Sequence, residues 1–271
     1  CKKMTYWMEN DSINAQGNIK YSQKGRILKS SIINQWKSTG YRGSSFTAKG
    51  NVEIIENDRN VSAEIIKYND ISQQMILEDN SSISDIKKSL SGQNMIIQYN
   101  DSLLERVTVQ NNAFATNLTE AKIDTGGFYR KFTNEMNSSN MEASFKEGKL
   151  YSLVLSGMAK TLIHVIDDSL YMGKNVASGD SIIIIFNDES LNRIKVHGGG
   201  RGKFHPEPKN SSIDSTVTYE SELIDYHVQN EESFFEKHAK VHYQESVLKS
   251  GYIHVDWRTN LLDATQKNGE L

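Results

Sequence analysis

Gly179-Asp180-Ser181-Ile182-Ile183-Ile184-Ile185-Phe186-Asn187-Asp188 is a short run that reaches an aromatic residue and stops at Asn-Asp. Versions of it recur along the chain. Ala63-Glu64-Ile65-Ile66-Lys67-Tyr68-Asn69-Asp70 is one, and Gly92-Gln93-Asn94-Met95-Ile96-Ile97-Gln98-Tyr99-Asn100-Asp101 is another. Ser221–Tyr226 and Gly251–Trp257 are looser copies, and Met141–Phe145 followed by Gly148 is a worn one. The aromatics at 68, 99, 145, 186, 226 and 257 lie about 30 to 45 residues apart, the period of a stacked array. Each copy alternates at period 2, so each is predicted to be a strand. An array of similar strands makes a long open surface, which points to a binding scaffold and away from a compact active site.

Composition agrees with an array. Hydrophobic residues make up 37% of 271, low for a closed globule. A repeat protein tolerates that, because each repeat buries its face against its neighbours. The two prolines, Pro206 and Pro208, sit together, and long proline-free strands suit a continuous ladder. A net charge of -3 and a pI near 6.2 give no basic footprint for nucleic acid. The one cysteine is Cys1, so no intramolecular disulfide can form. Followed by Lys2 and Lys3, it suggests a bacterial lipoprotein anchored through its first residue. No run approaches the ~18 apolar residues that cross a bilayer as a helix.

The chain reads as a first β segment over 1–118, a polar loop over 119–140 and a second β segment over 141–271. Hairpin turns are expected at Asn100-Asp101-Ser102, Lys146-Glu147-Gly148 and Asn187-Asp188-Glu189. His205–Ser215, with both prolines, is a second break. Glu231–Lys240 is the one stretch that admits a helix. The last pair of strands ends at Trp257-Arg258-Thr259-Asn260, and Gly269-Glu270-Leu271 brings no closing element.

Aligning the copies on their aromatics puts Ile66 and Tyr68, Ile97 and Tyr99, Ile184 and Phe186, Ile224 and Tyr226, and Val255 and Trp257 on one face. Two readings of that apolar lining stand side by side. It is the dry core of a closed sandwich or β-helix, or it is a groove for a long apolar ligand such as an acyl chain.

Gly50-Asn51-Val52-Glu53-Ile54, Ala63–Tyr68 and Leu90-Ser91-Gly92 resemble the repeat of the OstA family, which includes the lipopolysaccharide-transport proteins LptA, LptC and the N-terminal domain of LptD. Met141–Leu150, Leu155–Ala159, Gly173-Lys174-Asn175 and Gly202–Pro206 resemble OstA-like proteins as well. The resemblance implies an elongated open β-jellyroll, a V-shaped stack of antiparallel strands that shields lipid A acyl chains. It also implies a place in the Gram-negative periplasm, in the bridge between the inner and outer membranes. Partners would be lipopolysaccharide or a related lipid, other Lpt-type modules joined by edge-strand addition, and outer-membrane assembly proteins. No cofactor is implied. A lipidated Cys1 departs from the soluble bridge protein and from the barrel protein, and would suit a tethered variant. The rival from another class is a structural or adhesive β-solenoid with a closed core and no lipid ligand.

Catalytic signatures are missing. No Gly-x-Ser-x-Gly occurs, so His197-Gly198-Gly199-Gly200 has no nucleophile elbow to serve, and it reads as a turn closing a hairpin. The spacing of Gly198–Lys203 fails the phosphate-binding loop. His238 and His242 would share a metal on a helix, but lie ~13 Å apart on a strand. Asp167-Asp168 and Glu231-Glu232 read as solvated turn pairs. The expectation is therefore a binding protein with no catalytic residues and no metal.

Overall fold

The computed structural model describes residues 1–8, 11–23, 25–36, 44–101, 103–124, 126–188, 190–211, 213–259 and 261–266. Among them there is no helix. Sixteen strands follow one another: β1 (Lys3–Trp7), β2 (Ser12–Gln23), β3 (Arg26–Trp36), β4 (Ser45–Glu56), β5 (Arg59–Asn69), β6 (Gln74–Ser84), β7 (Lys88–Asn100), β8 (Leu103–Lys122), β9 (Tyr129–Lys146), β10 (Lys149–Asp167), β11 (Leu170–Asn187), β12 (Ser190–Pro206), β13 (Val217–His227), β14 (Glu232–Tyr243), β15 (Ser246–Asp256) and β16 (Leu261–Thr265). Each pairs with the next in one sheet, and a single parallel bridge joins Lys122 to Leu170. The all-β expectation holds. Two compact units divide the chain, Cys1–Ala115 with Asn140–Lys149, and Thr116–Ser139 with Leu150–Leu271.

One sheet with no second layer has nothing to bury its face against except itself. The backbone shows where it folds. Seven strands carry, near their middle, two consecutive residues at positive φ: Gly17-Asn18, Gly50-Asn51, Asp79-Asn80, Asn111-Asn112, Gly157-Met158, Gly198-Gly199 and Lys237-His238. These are every even-numbered strand from β2 to β14. Where the register is defined, each pair faces one residue of the following strand, which is a β-bulge. Left-handed backbone favours glycine and asparagine, and six of the seven pairs hold at least one of them. The residues two before and two after each pair's first member are buried in every case, Ala48 and Val52, Leu77 and Ser81, Leu155 and Ala159 among them. Each corner therefore folds a strand so that both halves turn the same apolar face inward.

The corners correct three expectations. Glu232–Tyr243 is a strand. Phe235 and Ala239 are buried four residues apart because Lys237-His238 interrupts the alternation, and that spacing mimics a helical stripe. His197-Gly198-Gly199-Gly200 is a corner inside β12, not a turn that closes a hairpin. The loop expected over 119–140 shrinks to 123–128, because β8 runs to Lys122 and β9 starts at Tyr129. Its alternation is masked by polar residues in buried positions: Phe132, Asn134, Met136 and Ser138 are all enclosed. The Asn134 side-chain oxygen accepts the His164 backbone N–H at 2.8 Å, which satisfies it. The unit boundary accordingly falls within β8, β9 and β10, not in a loop.

The turn at Glu147-Gly148 is a two-residue hairpin loop with both residues at positive φ, as such turns require. The break expected over 205–215 is the segment between β12 and β13. Ser102, Glu189, Asn260 and 269–271 lie outside the described residues.

Candidate functional site: the apolar inner face

The register turns the lining into rows. In the first unit, Met4, Ala15, Ile33, Ala48, Ile66, Leu77 and Met95 are successive ladder partners. Beside them run Tyr6, Ile13, Gln35, Phe46, Tyr68, Met75 and Ile97. In the second unit one row is Leu155, Ile182, Val196, Ile224, Phe235, Ile253 and Ala264. The next is Leu153, Ile184, Ile194, Tyr226, Ser233, Val255 and Leu262. Cross-strand apolar pairs of this kind are what stabilise a sheet face.

All ten residues expected to line the face belong to the strands or strand ends that form it, but they divide into two classes. Ile66, Ile97, Ile184, Ile224 and Val255 are at most 5% exposed. Tyr68, Tyr99, Phe186, Tyr226 and Trp257 are half-buried, toward the strand ends. The aliphatics are core and the aromatics form its margin. The structure also brings in residues that the repeat alignment did not single out: Leu77, Leu155, Val196 and Phe235 are fully enclosed on the even-numbered strands. Their signal was present as alternation, but the two-residue corners hid its continuity.

The aromatics are not level with one another. Tyr68 stands in the row of Ile97, not of Tyr99. Tyr226 stands in the row of Ile184 and Val255, not of Phe186 and Trp257. Each of these steps is a stagger of two residues, ~7 Å along the strand.

Electrostatics mark the margin. Burial pushes the Tyr226 phenol up to about 12, with Glu231 and Asp167 adding to the shift. Burial pushes Tyr219 to about 12 as well, although its hydroxyl donates to Asn175 Oδ1 at 2.7 Å. Tyr99 is raised by burial, and Arg26 pulls it back. Glu231 is raised by desolvation and then by Asp167. The arrangement can hold apolar matter along its inside and meet charged groups at its margin.

The histidines singled out as a possible metal pair do not come together. His238 lies at a corner with its Nδ1 3.1 Å from Glu222 Oε1. Among the described residues no group of three or more His, Cys, Asp or Glu could hold a metal. A surface cleft of about 550 Å³ lies between the β4–β5 and β6–β7 turns, lined by Glu56, Arg59, Asp85 and Lys88 among others, and it is polar.

Among the described residues, β1 pairs with β2 alone and β16 with β15 alone, so each is an edge of the described sheet. Each is five residues long and covers part of its neighbour: β1 spans Ser12–Gln16 and β16 spans Tyr252–Asp256. The inward residues at these edges, Met4, Tyr6 and Leu262, are exposed.

Residues 1–102 match the family model of the LptA/LptD N-terminal domain, described as lipopolysaccharide transport proteins. The resemblance read from Gly50–Ile54, Ala63–Tyr68 and Leu90–Gly92 falls inside that matched stretch. Among solved structures, the chain is similar to LptH of Pseudomonas aeruginosa, the LptA-homologous periplasmic component of its lipopolysaccharide transport device. The likeness has 12% identity and a TM-score of 0.39, over 51% of this chain and 85% of that one. A comparison with curated proteins gives no match.

Proposed function

We propose that this chain serves in lipopolysaccharide transport as a non-enzymatic carrier, holding lipid A acyl chains along its inner apolar face. The observation that carries the reading is the Lpt-type match over residues 1–102, where the inner rows run without a break from the edge strand to β7. A buried acyl chain gains ~0.8 kcal/mol per CH₂ with no charged site needed. Neighbouring Lpt-type modules join through β1 and β16, each of which pairs on one side only among the described residues. In this reading the chain works in the Gram-negative periplasm, within the bridge between the membranes, and outer-membrane assembly proteins receive the lipid. Cys1 is exposed, and a lipid on it would tether the chain.

A second reading has its own observation. The aliphatic lining is closed, with Ile66 fully buried and Ile184 at 2% exposure, which suits a structural β-solenoid. Site-specific photocrosslinking to purified lipopolysaccharide separates the two. Probes at Tyr99 and Phe186 crosslink under the transport reading, while a probe at the outward Gln98 does not. Folded protein that crosslinks at none of the three positions supports the solenoid.

A further inference from the structure

The closed lining and the carrier role conflict unless the interior opens, so the question is where the backbone can yield. In the second unit the register assigns the halves of β10 to β14 to two leaves. Residues 152–156 of β10, 181–187 of β11, 193–197 of β12, 223–227 of β13 and 232–236 of β14 are level with one another. Residues 159–167, 170–178, 201–204, 217–220 and 240–243 are level with one another across the corners. The leaves meet inside: Phe235 of one packs its ring 5.4 Å from that of Tyr219 on the other, and Ile182 and Ile224 on the first and Ala177 and Val217 on the second are buried.

The line between the leaves is weak in a specific way. At Gly157-Met158, Gly198-Gly199 and Lys237-His238 the ladder is already interrupted by a bulge, so rotation there sacrifices few hydrogen bonds. Glycine is concentrated along this line, at 157, 179, 198, 199, 200 and 251. The strand ends opposite the corners are lined by half-buried aromatics, Phe186 and Tyr226 among them. Asp167, at the end of one leaf, and Glu231, in the β13–β14 turn of the other, lie close enough for Asp167 to raise the Glu231 carboxyl. Asp168 and Asp256 add negative charge there, and Arg258 offsets part of it. Like charges facing across a closing margin oppose closure.

We propose that the glycine-rich corners of β10 to β15 form a hinge line, and that the two leaves part at the Asp167–Glu231 margin to admit a ligand from the side. This rests on the carrier reading for the identity of the ligand, but not for the opening itself. The lining aliphatics are then a dry core when the unit is empty and a binding surface when it is open. The aromatics at the margin are the first groups that an entering chain meets.

The test uses the 271-residue chain with Cys1→Ser, so that introduced cysteines are its sole thiols. Ile184→Cys reports on the interior through its rate of reaction with a maleimide, and Ile224→Cys is a second reporter should the first fold poorly. Asp167→Cys with Glu231→Cys allows the margin to be pinned with a short bis-maleimide before the reporter is read. The expected result is labelling faster than global unfolding, slowed about tenfold or more by the pin. Labelling that the pin leaves unchanged, or that proceeds at the global unfolding rate, overturns the hinge. Lipopolysaccharide crosslinking at Phe186 is read in parallel. Pin-sensitive labelling without crosslinking rejects the carrier reading while leaving the hinge intact.

Discussion

The indole N–H of Trp257 donates to the Ser233 hydroxyl at 2.7 Å, and Ser233 is buried in the same row as Tyr226 and Val255. A margin aromatic thus satisfies a polar group in an otherwise apolar row. Trp257→Phe keeps most of the ring and leaves that hydroxyl unpaired, at a cost of about 1 to 3 kcal/mol. Ser233→Ala in the Trp257→Phe background recovers much of the loss. Urea unfolding of the two single variants and the double variant checks this, and additive costs would show that the bond contributes nothing.

Met158 holds a left-handed conformation, φ 53°, at a position where four other corners place asparagine: Asn18, Asn51, Asn80 and Asn112. Its side chain is exposed, so no packing compensates. Met158→Asn is expected to stabilise the protein by about 0.5 to 1 kcal/mol. A thermal melt that stays put or falls contradicts the strain argument.

Tyr219 and Tyr226 titrate near 12 in the folded protein, against 10.0 for a free phenol. The folded state holds these protons more tightly than the unfolded state. Their contribution is fully present below pH 10 and is lost as the pH rises through 12. Two pKa steps amount to roughly 2 to 3 kcal/mol for each phenol. Unfolding free energy measured between pH 9 and 12 should therefore fall, on the scale set by these shifts. Tyr219→Phe and Tyr226→Phe together should flatten that fall.

Ile184→Ala removes packing from an enclosed site and should cost about 2 to 5 kcal/mol. Ile71→Ala, in an exposed turn, should stay within about 0.5 kcal/mol of the parent. Equal costs at the two positions would mean that the inner face is not a packed core.

The strands and the direction of their apolar faces were readable because a period of two survives wherever Ile, Val and Tyr carry it, as at Ala63–Tyr68 and Ile182–Phe186. The corners were not readable as corners. Gly50-Asn51 looked like a repeat motif, His197–Gly200 like a hairpin turn, and Lys237-His238 broke the alternation enough to suggest a helix. At β9 the inward positions include Asn134 and Ser138, so polarity stood where burial was, and the strand read as a loop. The stagger of Tyr68 against Tyr99 depends on ladder register, which a similarity of short motifs does not contain.

Because each strand pairs with the one that follows it, nearly every long-range contact in this sheet closes a loop of a few tens of residues or fewer. Loop closure is the entropic cost that slows most all-β chains. Here that cost is met in small instalments, so the sheet can grow from its first strands as the chain emerges, each new hairpin adding to a template already in place. An array that assembles in the order of its sequence can also be lengthened or shortened by whole hairpins without rerouting the strands that came before.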